Sequence, residues 1–203
     1  MAVGSWAVRQ GCRVDNRFAA AGVPPRMLRA VLAVALFVAR GGCTGQEGNG
    51  MLEEVPKTVQ VTSAFDAHGR VPTRYTCDGE EVSVPLVVSG LPEGTERLAV
   101  VFDDPDAPRG TWVHWVFWDL APSAALGDGA DPADHGATVG RNSWGRNDYG
   151  GPCPPSGEHR YVLKAYALDA PLGLPAATDA DGLRSAMDGR VLAWGELVGT
   201  YSR

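Results

Sequence analysis

"DDPDAPRGTWVHWVFWDL", residues Asp103 to Leu120, is the stretch on which the reading of this chain turns. From Thr111 onward it is β-branched and aromatic, the composition of a strand. Side chains alternate along a strand, so His114 is expected to share a face with Trp112, Val116 and Trp118. Val113, Trp115 and Phe117 fall on the other face, and a strand apolar on both sides belongs inside a covered sheet. The first half packs Asp103, Asp104 and Asp106 among Pro105 and Pro108, which suits a turn. Polar groups at the ends of apolar strands are costly when buried unpaired. Asp104, in parity with Val100 and Phe102, and His114 are therefore expected to pair with each other or with something bound.

Outward from this stretch, short β-rich runs recur at 59–65, 83–88, 96–103, 137–141, 160–168 and 191–201. Spacers rich in Gly, Pro and Asp separate them, and Gly (26) with Pro (15) makes up a fifth of the 203 residues. Regular short strands with such spacers predict an all-β chain with minor α content, an antiparallel sandwich or barrel rather than βαβ units. One helix is predicted, Asp179 to Met187, opening on a cap residue with acids in its first turn. On the strand at 160–168, His159 and Tyr161 share a side.

Charge divides the chain. Residues 1–42 carry six arginines against Asp15, whereas from Cys43 onward 12 basic residues face 23 acidic ones. An acidic body repels phosphate backbones, so nucleic acid is not an expected partner. Residues 1–42 read as a signal or targeting segment, with translation starting at Val23 or Met27 as an alternative. In it an apolar run, Ala30 to Ala39, is too short to span a bilayer but suits an export signal. Gly41-Gly42-Cys43 resembles the end of a lipoprotein cleavage site, which would lipidate Cys43, although Arg40 departs from that pattern. Residues 43–57 read as a flexible tether, and 58–203 as the folded domain. The expected location is extracellular or in the cell envelope, with membrane contact only through a lipid at Cys43. Cys77 and Cys153 remain, to pair in an oxidising compartment or to stay as two small buried thiols.

Three blocks, "DPDAP" (Asp104–Pro108), "GTWVHW" (Gly110–Trp115) and "GPCPPSGEHRY" (Gly151–Tyr161), resemble the signatures of the phosphatidylethanolamine-binding proteins, also called the Raf kinase inhibitor family. "YTCDG", "GRNSWGRNDYGGPCPP" and "GELVGTY" resemble its bacterial and archaeal branch, and the resemblance runs from about Val59 to Ser202. It implies a β-sandwich of two antiparallel sheets in Greek-key order with a few short helices. It also implies a pocket at one end for phosphate, phosphoethanolamine or a similar anion. By motif, Asp104 would sit at the pocket base with His114, His159 and Tyr161 around it. Gly151, Pro154 and Pro155 would form one wall, and Trp112 with Pro108 another part of the rim. Mammalian members carry two adjacent histidines where this chain has Val113 and His114. The strand-like run to Arg203 also leaves no long gating helix, which puts a kinase-regulating role in doubt.

The chemistry agrees with such a pocket. Imidazoles and a phenol can donate to phosphate oxygens, and an aspartate accepting from one ring's far nitrogen would orient it and favour its cation. Backbone N–H groups of the Gly151 loop would add donors. The expected ligand is a small phosphorylated or carboxylate molecule, bound without cofactor and without catalysis. Two alternatives carry their own features. One is inhibition of a kinase or protease through the pocket rim. The other is metal-dependent hydrolysis using His114, His159 and Asp104, a set without the H-x-H or H-E-x-x-H spacing that concentrates ligands.

Overall fold

The structure, a computed structural model, describes residues 55–203. The signal segment, Cys43 and nearly all of the tether lie outside the described residues. Among the described residues, seven strands form two antiparallel sheets. β1 (Gln60–Thr62) pairs with β2 (Val87–Ser89) in a small ribbon. The large sheet contains β3 (Arg97–Asp104), β4 (Trp112–Leu120), β5 (Thr138–Val139), β6 (Glu158–Leu168) and β7 (Val191–Ser202). Its order is β5-β4-β3-β6-β7. After β5 the chain returns to lay β6 beside β3, the long return that a Greek-key order requires. Two 3-10 turns, Thr73–Tyr75 and Pro132–His135, and one helix, α1 (Ala180–Met187), complete the elements.

The predicted strands at 96–103, 111–119, 160–168 and 191–201 match the long strands β3, β4, β6 and β7 closely. The other three are shorter than expected. Across 83–88, Pro85 offers no N–H to a ladder, and Leu86 makes only an isolated bridge to Leu126 before β2 begins. At 137–141 pairing stops at Val139, because Gly140 passes so close to the Trp118 ring and the Thr178 carbonyl that a Cβ would collide with both.

Both faces of the large sheet are covered, as the doubly apolar β4 requires. Leu98, Val100, Phe102, Trp115, Phe117, Tyr161 and Leu163 belong to the core between the sheets. On the outer face, Ala99, Val101, Val113, Val116 and Trp118 pack with Ala180, Leu183 and Met187 of α1. Asp179 caps that helix by accepting from the Gly182 N–H. The i, i+3, i+7 spacing of its three apolar residues aims them at the sheet, and each large one contributes roughly 1.5–3 kcal/mol on burial.

One expectation about β4 is corrected here. Phe102 pairs with Trp115 but Asp103 pairs with Val113, so β4 carries one extra residue at His114. This β-bulge breaks the parity, because Val113 and Val116 both face α1 whereas Trp115 and Phe117 face the inter-sheet core. His114 turns inward with Trp115 instead of outward with Val116 and Trp118. Its ring centroid lies 5.8 Å from that of Phe102 and 5.3 Å from that of Tyr161.

Candidate functional site

Antiparallel order brings the end of β3, the start of β4 and the start of β6 to one end of the sheet. Asp104 lies on β3, Trp112 and His114 on β4, His159 and Tyr161 on β6. Asp104 pairs with Trp112 across the ladder, so these two share a face. His159 Nδ1 is 2.7 Å from Asp104 Oδ2, while Asp104 Oδ1 accepts from the Asp106 N–H at 2.8 Å. His114, Tyr161 and Trp144 meet edge to face, the His114 ring standing 5.1 Å from Trp144. Four predicted residues, Asp104, His114, His159 and Tyr161, are thus assembled from three strands that are far apart in sequence.

All four are deeply placed, with relative exposures of 4%, 3%, 8% and 0%. Burial drives the His114 pKa down to about 4, against the pull of the Gly150 carbonyl and Asp104, so its imidazole is neutral at pH 7. Burial, with the Asp104 charge second, pushes the Tyr161 phenol well above its ordinary value, so it keeps its proton. That hydroxyl is sealed from solvent and has no partner at full hydrogen-bond geometry among the described residues, although the Asp104 carboxylate and the Cys153 N–H are close enough to act on it. An orphaned buried hydroxyl is costly, and such groups are rare without a reason.

The glycine loop is built differently from expectation. Gly150 accepts from His114 Nδ1 at 2.8 Å through its carbonyl and donates its N–H to the His114 carbonyl at 3.0 Å. The Gly151 N–H, expected to face an anion, instead donates to Glu81 Oε1 at 3.1 Å. Gly151 is needed for close approach and not for a left-handed φ, since a Cβ there would meet the Tyr75 carbonyl oxygen at 2.7 Å. Cys77 and Cys153 are joined by a disulfide, S–S 2.04 Å, beside the Cys77 N–H to Pro152 carbonyl bond. Of the predicted walls, Pro154 is buried and Trp112 half-buried, whereas Pro155 and Pro108 are exposed.

Sequence reasoning missed Glu81, Trp144 and the Gly150 carbonyl, and placed Tyr149 beside the site without a defined role. Glu81 sits at φ 56°, a costly conformation for a glutamate, and thereby reaches Gly151. Trp144 is 42% exposed and packs at 85° on Trp112 over the His114 ring. Buried Asn142 sets that loop, accepting from the Trp144 and Arg146 N–H groups and donating to Asp148. Tyr149 stacks on Phe102 and donates to the Tyr75 carbonyl at 2.8 Å. A cavity of about 890 Å³ lies on the opposite, outer face of the sheet, lined by Asp103, Lys164 and Arg184 and by none of the four. Among the described residues no three His, Cys, Asp or Glu side chains are grouped to hold a metal ion, which gives the hydrolase alternative no support. No described helix is long and apolar enough to cross a membrane.

An antiparallel two-sheet fold with a buried acid, two imidazoles and a phenol at one end defines a class of small β-sandwich proteins. Residues 61–202 match the family model described as phosphatidylethanolamine-binding protein, and the chain belongs to that family. It is 37% identical over 196 residues to a UPF0098 protein of Pyrococcus horikoshii, covering 92% of this chain and 96% of that one. It is 44% identical over 146 residues to a UPF0098 protein of Methanothermobacter thermautotrophicus, covering 70% and 97%. The chain spans 59% of the length of a third UPF0098 protein, from Archaeoglobus fulgidus, at 38% identity over 177 residues. Among solved structures, a putative phosphatidylethanolamine-binding protein homolog from Chlamydia trachomatis superposes with a TM-score of 0.68 at 37% identity. E. coli YbcL, described as a member of the mammalian family, gives 0.66 at 30% identity. Each pairing covers 72% of this chain and 99% of the other.

Proposed function

We propose that this end of the sandwich binds one small oxyanion, phosphate or the phosphate of a headgroup such as phosphoethanolamine, and performs no chemistry on it. The observation that carries the reading is the Tyr161 hydroxyl, a proton-bearing donor buried beside the His114 ring and the Asp104 carboxylate with no partner at full hydrogen-bond geometry. A bound oxygen would satisfy it. The tight burial of all four residues favours a ligand headgroup of a few atoms over a large one. Family membership points to the same ligand chemistry, through the lipid headgroup in the family's name.

Isothermal titration of the full chain with inorganic phosphate tests the reading. Binding is expected, and His159→Ala and Tyr161→Phe should each weaken it at least tenfold. Tyr161→Phe should leave the ligand-free melting temperature unchanged or higher, because it deletes an unpaired buried hydroxyl. Absence of binding, or wild-type affinity in both variants, removes the assignment.

A further inference from the structure

The cavity of about 890 Å³ on the outer face of the sheet takes no part in the oxyanion reading, yet its size is that of a small-molecule site. With eight residues, α1 is too short to cover the whole of that face. The floor of the cavity is laid by β6 and β7, where Val162 stands opposite Val198, Lys164 opposite Glu196, and Tyr166 opposite Trp194. Cross-strand partners share a face, so these three rungs make a floor roughly 14 Å long. It is aliphatic at one end, aromatic at the other and charged between.

Four acids and four bases line this space, but their spare hydrogen-bonding capacity is one-sided. The acids are already engaged. Both Asp103 oxygens accept from Lys164, and Asp181 accepts from Arg184. Glu196 accepts from Lys57, and Asp179 Oδ1 accepts from the Gly182 N–H. Of the bases, Arg160 is committed to Asp106. Arg184 spends Nη1 on Asp181 and leaves Nη2 3.7 Å from Asp103, beyond hydrogen-bond reach. The Arg141 backbone bridges to Asp179 at the start of α1, and its guanidinium has no hydrogen-bond or ion-pair partner among the described residues. What the cavity has left to offer a ligand is donor and positive.

We propose that this cavity is a second ligand site, separate from the oxyanion pocket, for a small amphipathic carboxylate. The carboxylate takes the planar fork of Arg141, a match of two parallel N–H donors to two oxygens. The apolar body lies along the Val162–Val198 and Tyr166–Trp194 floor. Charge sets the class. One negative charge balances the one base that no acid holds, whereas a phosphate dianion would add a second charge beside four carboxylates.

The test is titration calorimetry of the full chain at pH 7 with 2-naphthoate, and with 2-naphthamide as its neutral counterpart. The acid should bind with one-to-one stoichiometry and at least tenfold more tightly than the amide, the scale of a charge-assisted hydrogen bond. Arg141→Gln, a change at an exposed side chain, should weaken 2-naphthoate about fivefold. Val198→Trp, which fills the floor, should weaken it at least tenfold. Tyr161→Phe and saturating inorganic phosphate should each leave 2-naphthoate affinity within twofold, whether or not the first site binds phosphate. No binding of 2-naphthoate, equal binding of acid and amide, or wild-type affinity in both Arg141→Gln and Val198→Trp overturns the proposal. Displacement of 2-naphthoate by phosphate or its loss in Tyr161→Phe also overturns it, by placing the acid in the first site.

Discussion

Asp103 and Asp104 are adjacent on β3, yet they serve opposite faces of the sheet. Asp104 points into the sandwich end and takes His159, while Asp103, fully buried, takes Lys164 Nζ at 2.8 Å and a longer contact from Arg184 at 3.7 Å. Strand alternation alone separates the pair into a site residue and an outer-face residue.

That separation predicts a dissociation between stability and binding. Burial raises the Asp103 pKa despite Lys164 and Arg184, so its ionised form is disfavoured in the fold. An acid with a raised folded pKa contributes stability below its unfolded value and loses it as pH rises through the folded one. Asp103→Asn should therefore match or exceed wild-type stability at pH 7, within about 1 kcal/mol, because partly exposed Lys164 and Arg184 rehydrate. Its phosphate affinity should be unchanged. Asp104→Asn should instead lose phosphate binding at least tenfold by releasing His159. Urea midpoints and titration calorimetry on the two variants read both arms, and a binding loss confined to Asp103→Asn would reverse the assignment.

His114 makes the fold acid-sensitive. Its folded pKa, about 4, lies below the ordinary 6.5, so between these values the unfolded chain holds the extra proton. Stability is therefore fully present above pH 6.5 and falls as pH drops toward 4. A gap of about 2.5 pH units at about 1.36 kcal/mol each gives a loss of roughly 3 kcal/mol. The difference in unfolding free energy between wild type and His114→Gln, followed from pH 7 to pH 4 in urea, isolates this contribution. Parallel curves would show that His114 titrates normally in the fold.

The long strands were legible because their cause is local. Residues 96–103, 111–119, 160–168 and 191–201 are runs rich in β-branched, aromatic and other apolar side chains, and the helix at Asp179 declares itself by its cap. Asp104, His159 and Tyr161 followed from parity and motif together. What failed was whatever one strand's pattern cannot contain. The bulge at His114 arises from the register between β3 and β4, a two-strand property, so strict alternation put that ring on the wrong face. Likewise, the capture of the Gly151 N–H by Glu81 joins positions 70 residues apart, one of them in a left-handed conformation that no local signal marks.

The disulfide gives a last expectation, on what holds the loop in place. Cys77 and Cys153 are 76 residues apart, and closing a loop of that length in the unfolded chain is worth about 4 kcal/mol in the chain-entropy account. Reduction, or the Cys77→Ser/Cys153→Ser variant, should lower the unfolding free energy by up to that amount. Ligand binding should suffer much less. Gly150 remains tied to His114 through both its carbonyl and its N–H, Gly151 to Glu81 and Pro152 to the Cys77 N–H, so four hydrogen bonds hold the loop after the covalent link is gone. Melting curves with and without a dithiol reductant should therefore separate clearly, while phosphate affinity changes less than tenfold. A collapse of affinity on reduction at a temperature where the chain stays folded would mean that the covalent bond, and not the hydrogen-bonded wall, positions the Gly150 carbonyl for His114.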